Sequence, residues 1–509
     1  MDARELLADR KGAPRRLGHV LVLGLGKSGR AAAEYCLPLI GDRVESLSIA
    51  AGGRTRESEA FGAEAASRGA RVAFGDDGVA ELSPLVAGGR FDLCVASPGI
   101  PPFSPLYEAA GRLSDDMAGE LEFAWRESAA ESRWIAVTGT NGKTTACACT
   151  AHVLASAGLR AAAVGNIGDT CIEAVAAGKT DVYVAETSSY QLASTSRFAP
   201  DVAVLLNVTP DHLHWHGSFE AYRDAKLKVL ANLPGTPGGT AVLDATNDVV
   251  RAEVRRLRAQ SDVERGFSYV PLGTASGLSG DMRAACGSRN AAFLGADGAL
   301  RVALDGVEHE LLRADELLIK GEHNASNALA AASAALALGV RPADVAAGLR
   351  TFAPLEHRIE PCGEVRGARV FNDSKATNVD ATLKAIASFP ETRPIVLLGG
   401  EDKGTDLAPL VAAARAHARA VVCFGAAGPR FASAFGVGGP ASDQPARDGL
   451  LVLRAEHLED ALDAALELAG EGDVVLLSPA CASFDEFGSF EERGRAFKAL
   501  VADRAAHGA

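Results

Sequence analysis

The run Gly139-Thr140-Asn141-Gly142-Lys143-Thr144-Thr145 has the residue types needed to hold a nucleoside triphosphate. Glycine lets a backbone come close to phosphate oxygens, a lysine ammonium can reach the β- and γ-phosphates, and the hydroxyl after it can hold Mg2+. The full phosphate-loop pattern places glycine at position 137, where Val137 stands, so this loop is a shortened variant. Two acidic groups lie where a metal-phosphate site needs them. Glu186 closes the run DVYVAE, and Asp211-His212 follow the run DVAVLLN. Hard Mg2+ takes few protein ligands, mostly oxygen, and completes its shell with phosphate and water, which suits Glu186. The alternation His212, His214, His216 admits a zinc site, but no complete ligand set accompanies it and the spacing equally suits an exposed loop. His214 and His216 are expected to be solvent-facing or structural.

Two further turns sit where ligands collect. Gly24-Leu25-Gly26-Lys27-Ser28-Gly29 closes the first apolar run and opens a helix, so its amides can face an anion. A nicotinamide dinucleotide would want an acid near Ile49–Gly52, where the sequence has Ala50-Ala51-Gly52. The turn is open to three readings: a nucleotide or phosphate site of another kind, a structural glycine turn, or an NADP site with Arg54 and Arg56 on the 2′-phosphate. Ser97-Pro98-Gly99-Ile100 follows DLCVAS and is either a second ligand edge or an ordinary turn.

The elements that must carry these residues are legible as short, unalternated β-branched runs, each followed by an Ala-rich stretch of helical length. They are HVLVLG (19–24), RWIAVTG (133–139), DVYVAE (181–186), DVAVLLN (201–207), PIVLLGG (394–400), AVVCFG (420–425) and DVVLLSP (473–479). Such runs suit strands buried on both faces of a parallel sheet, so the fold class is α/β throughout. A small antiparallel excursion is expected between about 266 and 312. Seams at 118–132 and 352–358 divide the 509 residues into three domains, 1–125, 126–355 and 356–509.

A net charge of −14 with no dense Lys/Arg run excludes a general nucleic-acid binder. Nine cysteines without a paired framework point to a reducing cytoplasm. No apolar run reaches the ~20 residues needed to span a bilayer, and the charged start lacks a signal-length segment, so neither membrane insertion nor secretion is expected.

Several motifs occur in a characteristic order: GTNGKTT, GNIG (165–168), ETSSYQL (186–192), NVTPDHLHWH (207–216), AYRDAKL (221–227), EHNASNALAA (322–331), EHRIE (356–360), NDSKATN (372–378), LLGGEDKG (397–404) and SPACASFDEF (478–487). Taken together they resemble the Mur ligases over essentially the whole chain. NDSKATN with SPACASFDEF points to the branch that uses D-glutamate, and NDSKATN with the Gly-rich first domain speaks against a folylpolyglutamate synthase. The resemblance implies a Rossmann-like first domain, a central P-loop ATPase-like domain with a mostly parallel sheet, and a Rossmann-like third domain. It also implies ATP-dependent amide formation between UDP-N-acetylmuramoyl-L-alanine and D-glutamate through an acyl phosphate, in peptidoglycan precursor synthesis, by a monomer.

On this resemblance Gly139–Thr145 hold ATP together with Asn324, Asn327, Arg358 and Asp373. Thr144, Glu186 and His212 hold two Mg2+ ions with Lys226 as its carbamate. Lys143, Glu186, His212, Lys226 and Lys375 are the catalytic set. Leu25, Gly26, Lys27, Ser28, Ser97, Pro98 and Gly99 take the UDP moiety, and Asn166 and Ser188 lie near the muramoyl substrate. Lys375, Thr377, Lys403, Ser483 and Phe484 receive D-glutamate. Without the resemblance, Lys226 reads as a solvated lysine on an amphipathic helix with an ordinary pKa near 10.4.

Overall fold

The structure is a computed structural model that describes residues 6–273, 288–402, 404–437, 450–507 and the backbone of Gln444–Pro445. Three sheets carry the chain. The N-terminal sheet has five parallel strands in the order Arg71–Phe74, Val44–Ala51, Gly18–Leu23, Leu93–Ala96, Met117–Gly119. Because the order reverses beside Gly18–Leu23, a crevice opens at the C-terminal ends of that strand and Leu93–Ala96.

The central sheet has nine strands. Its core order is Thr240–Asp244, Val202–Leu205, Arg133–Thr138, Val182–Glu186, Ala161–Gly165, all parallel. The expected antiparallel excursion is confined to one end. Ser268–Gly273 and Ala291–Leu294 extend the sheet in parallel, and Ala299–Leu304 then pairs antiparallel with both Ala291–Leu294 and Val307–Arg313. The two short connections after Ala291–Leu294 turn the chain straight back on itself, which gives antiparallel pairing.

The third sheet runs Glu360–Val365, Ala368–Asn372, Val474–Ala480, Ile395–Gly399, Ala420–Phe424, Leu451–Arg454, Gln444–Pro445, parallel except at its two edges. Its parallel strands Ile395–Gly399, Ala420–Phe424 and Val474–Ala480 are buried throughout, as their unbroken apolar runs require.

The chain condenses into two compact units. One comprises Met1–Leu317 with Ala325–Phe352 and holds the first two sheets; the other comprises Leu318–Asn324 with Ala353–Ala509 and holds the third. Within the first unit one apolar core runs from Val20 and Val22 through Leu121 and Phe123 to Trp134 and Tyr183, and a second, with Leu21, Leu23 and Phe91, covers the other face of the N-terminal sheet. The short helix Glu120–Glu127 joins its two sheets. Glu127 receives Tyr35 and a two-pronged Arg43 from the N-terminal side, at 2.6–2.8 Å. Glu122 receives the amides of Ser196, Arg197 and Phe198 from the central side, and the Arg126 guanidinium. Glu120 accepts from the Ile172 amide at 2.7 Å. Among the described residues, no helix is long and apolar enough to cross a membrane.

Candidate active site

Strands Arg133–Thr138, Val182–Glu186 and Val202–Leu205 are neighbours, so their C-terminal ends bring Gly139, Glu186 and Asn207 to one edge. Asn207 clasps the phosphate loop. Its carbonyl accepts from the Thr140 amide at 2.8 Å, its side-chain oxygen accepts from the Asn141 amide at 2.8 Å, and its side-chain nitrogen donates to the Asn141 carbonyl at 3.0 Å. Thr140 Oγ1 shares a hydrogen bond with the Tyr222 hydroxyl, 2.9 Å. Lys143 Nζ turns back onto the Thr140 carbonyl at 2.9 Å.

Gly142 caps the helix Lys143–Ser156 with φ +84°, a left-handed conformation that strains any other residue. A Cβ there would stand 2.7 Å from Asn327 Oδ1, so the cap also lets the Asn327 side chain close on the loop. A helix N-terminus with open amides, a lysine at its first position and a hydroxyl next is an anion site. Thr144 is half-buried and Thr145 buried within the first turn.

Glu186 is buried. Its Oε1 accepts from Asn166 Nδ2 at 2.9 Å, while its Oε2 has no hydrogen-bond donor. A buried carboxylate oxygen without a donor is costly unless a cation reaches it, so this donor set fits Mg2+. His212 stands across the edge with a left-handed backbone, φ +51°, the kind of strain that persists where surrounding structure imposes it. Its ring packs on Tyr190 at 4.9 Å. Burial, with the charges of Lys226 and Lys143, lowers its pKa, which keeps it neutral and able to ligate; Asp211 works in the other direction. His216 shares a hydrogen bond with Ser189 Oγ, 2.9 Å, and stacks on Tyr190; burial lowers it to about 4.

Lys226 departs from the expected solvated lysine. Helix Phe219–Leu227, capped by Ser218, turns it inward, where it is 2% exposed and donates to the Gly139 carbonyl at 2.8 Å. Burial and the neighbouring Lys143 charge hold its pKa well below the ordinary value, against the pull of Asp211 and Glu186. The reading of an ordinary pKa is therefore corrected: tertiary burial, invisible in the helix sequence, makes the neutral amine accessible.

The crevice of the N-terminal sheet adjoins this edge. Gly26 caps helix Lys27–Cys36, Leu25 is buried, Ser28 is half-buried, and Lys27 Nζ donates to the Gly168 carbonyl at 2.6 Å. The Ser97 amide pairs with the Leu23 carbonyl at 2.8 Å, with Pro98 and Gly99 outside it. Gly165–Gly168 links the two, because the Asn166 amide donates to the Glu186 carbonyl at 3.1 Å. Ser188 caps the short helix Ser189–Ala193 just beyond Glu186. At the end of strand Val44–Ala51 there is no acid; Arg54 instead lies 5.2 Å over the Phe74 ring and 3.5 Å from Glu59.

In the second unit, Asn324 and Arg358 line a cleft of about 250 Å³ with Ile319, Phe371, Phe389 and Pro390. Asp373 is buried beneath Arg358. Its Oδ2 accepts from Ser478 Oγ at 2.8 Å, and burial pushes its carboxyl up to about 7 although Ser478 and Arg358 hold it down. Lys375, Thr377 and Ser483 are carried by the loops that end Ala368–Asn372 and Val474–Ala480, adjacent parallel strands. Ser483 is buried, whereas Phe484 is 69% exposed. Lys403 lies outside the described residues. Three groups, Phe490, Arg493 and Asn207, escaped the sequence reading. Lys375 Nζ lies 3.7 Å over the ring of Phe490, and Arg493 is buried beneath both loops. Their stretch, FEERGRAF, carries only the pattern of a charged helix; Asn207, directly after a strand beside the phosphate loop, could have been found.

This arrangement of phosphate loop, flanking acid and inward lysine is that of a nucleotide-dependent ligase. Residues 137–335 match the Mur ligase middle domain, and residues 357–481 match the Mur ligase glutamate ligase domain. The chain belongs to the Mur ligase family. It is 35% identical over 491 residues to the UDP-N-acetylmuramoylalanine--D-glutamate ligase of Pelotomaculum thermopropionicum, covering 95% of this chain and 97% of that protein. A Frankia casuarinae protein of the same name is 36% identical over 499 residues, covering 95% and 94%. Two solved structures share the fold. They are the UDP-N-acetylmuramate-alanine ligase of Thermotoga maritima (TM-score 0.53, 19% identity, covering 95% of this chain and 99% of that one) and MurF of Acinetobacter baumannii (TM-score 0.56, 17% identity, 90% of each).

Proposed function

We propose that this chain is an ATP-dependent ligase that joins the carboxylate of UDP-N-acetylmuramoyl-L-alanine to the amine of D-glutamate, in peptidoglycan precursor synthesis. What carries the substrate assignment is the similarity to relatives of that name along nearly the whole chain. In the reaction the alanyl carboxylate of that substrate attacks the γ-phosphorus and ADP leaves; the amine then attacks the acyl carbon and phosphate leaves. No protein nucleophile is needed, so catalysis is positioning and charge neutralisation.

Gly139–Thr145 cradle the phosphates, with Lys143 unfolding from the Thr140 carbonyl onto the β/γ oxygens. Asn324, Asn327, Arg358 and Asp373 hold the rest of the nucleotide. Thr144, Glu186 and His212 would hold two Mg2+ ions, which neutralise charge on the transferring phosphoryl group. Lys226 serves as a carbamate, an anionic oxygen ligand where a bare ammonium would repel a cation. Leu25–Ser28, Ser97–Gly99, Asn166 and Ser188 bind the nucleotide sugar. Lys375, Thr377, Ser483 and Lys403 take the two carboxylates of D-glutamate, which need cations and hydroxyls. Phe490, flat under Lys375, orients that ammonium.

The test is phosphate release with UDP-N-acetylmuramoyl-L-alanine while the amino acid is varied. D-glutamate supports turnover and L-glutamate does not. Equal turnover with both, or turnover only with L-alanine or a diamino acid, sinks the assignment.

A further inference from the structure

Helix Phe490–Ala506 buries one arginine completely, Arg493, at 1% exposure. Its guanidinium donates four hydrogen bonds. Nε reaches Ser374 Oγ at 2.9 Å, Nη2 reaches the carbonyls of Ser374 at 2.9 Å and Cys481 at 3.1 Å, and Nη1 reaches the carbonyl of Ala482 at 3.1 Å. All four acceptors are neutral, and among the described residues none of its hydrogen bonds goes to a carboxylate. A charge buried on neutral acceptors is costly to fold, so hydrophobic packing does not explain it.

The acceptors explain more. Ser374 immediately precedes Lys375, and Ala482 immediately precedes Ser483. One planar, rigid fork therefore ties together the two loops that carry the side chains assigned to the amino-acid substrate. Ser374 Oγ donates in turn to the Phe490 carbonyl at 2.8 Å, which holds the Phe490 ring under Lys375. The surroundings are cut to this fit. A Cβ on Gly400 would come within 2.9 Å of Arg493 Nη1, and a Cβ on Gly494 would overlap the His357 ring.

We propose that Arg493 is a positioning residue for the amino-acid substrate, fixing the loops Ser374–Thr377 and Cys481–Ser483 so that Lys375, Thr377 and Ser483 meet both carboxylates at once. It rests on the D-glutamate assignment above. The guanidinium touches no reacting atom, and its effect falls on the KM for D-glutamate rather than on nucleotide binding.

The experiment measures steady-state constants for Arg493→Lys and Arg493→Ala in the full-length enzyme, with melting curves alongside. Lysine keeps the charge but lacks the planar fork, so the KM for D-glutamate rises about tenfold or more, a loss of about 1.4 kcal/mol of binding, while the KM for ATP stays put. In Arg493→Ala, added guanidinium lowers the KM for D-glutamate again, and sodium chloride at equal ionic strength does not. A merely structural arginine gives the opposite pattern: a lower melting point and less active enzyme with the KM for D-glutamate unchanged, or an Arg493→Lys chain that does not fold. Either result overturns the inference. If wild-type enzyme does not use D-glutamate, the substrate assignment fails instead, and that is read before any variant is made.

Discussion

Two regions of the first unit bury charge, and they do so to different ends. At the joint between its sheets, Glu122 and Glu127 have donors on both carboxylate oxygens. At the phosphate loop, Glu186 leaves one oxygen without a donor, and Lys226 sits within reach of the like charge of Lys143. Both regions are protein interior, so burial does not separate them. Satisfaction separates these groups: Glu122 and Glu127 are saturated and hold elements together, whereas the open oxygen of Glu186 stands beside the phosphate loop, where a cation can reach it.

That contrast predicts which substitutions cost activity and which cost stability. The largest effect belongs to Lys143→Ala, which lowers kcat by about 10²–10³-fold by removing charge stabilisation made in the transition state. Its melting curve stays that of the wild type, and near-normal kcat would move the phosphate loop elsewhere. Next comes Lys226. Alanine there costs nearly as much, arginine does not restore activity because an obligate cation cannot become an anionic ligand, and glutamate keeps a trace. Turnover with arginine and none with glutamate would mean that the lysine acts as a plain cation.

The joint gives the reverse pattern. Glu122→Ala strands the amides of Ser196, Arg197 and Phe198 and leaves the Arg126 guanidinium with Asp116 as its carboxylate partner, and lowers stability by about 3–5 kcal/mol, read as a lower melting point, while kcat per folded molecule holds. Loss of kcat at unchanged stability would erase the contrast between the regions. The smallest effect tests the exception within the joint, an acid with one open oxygen like that of Glu186. Glu120 has one oxygen on the Ile172 amide and the other without a donor, and burial raises its carboxyl to about 7 from 4.5. Folding then takes up a proton, so the stabilising share is complete below about pH 4.5 and is lost as the pH rises through about 7. Glu120→Gln keeps the accepting oxygen and flattens that slope, a gain of roughly 1–3 kcal/mol at pH 8 relative to wild type. An unchanged pH profile of melting would show that Glu120 titrates as an exposed acid.

The strands were legible because a strand buried on both faces reads as an unbroken β-branched run, and RWIAVT or DVVLLS cannot be mistaken for an amphipathic pattern. The phosphate loop was legible because its chemistry is local: glycine, lysine and threonine work on one turn. Residues whose role depends on distant partners were not. Lys226 lies on a helix whose sequence suits a wet face, and the Gly139 carbonyl it reaches lies far back in the chain. Glu122 looks like any glutamate in ELEFAWRE until residues 196–198 bring it their amides. Arg493 is the same case, since its acceptors lie more than a hundred residues back in Ser374 as well as close by in Cys481.

The helix Glu120–Glu127 also constrains how genes of this kind can be recombined. Its two ends are answered by different sheets, Glu127 by Arg43 and Tyr35, Glu122 by the turn at Ser196–Phe198. A chimaera that imports a foreign N-terminal sheet with a cut before Glu120 keeps the helix but loses Arg43 and Tyr35. A cut after Ser128 keeps Arg43 but meets a foreign turn at 196–198. An exchange of the N-terminal sheet that keeps this joint therefore has to bring both halves of the latch together.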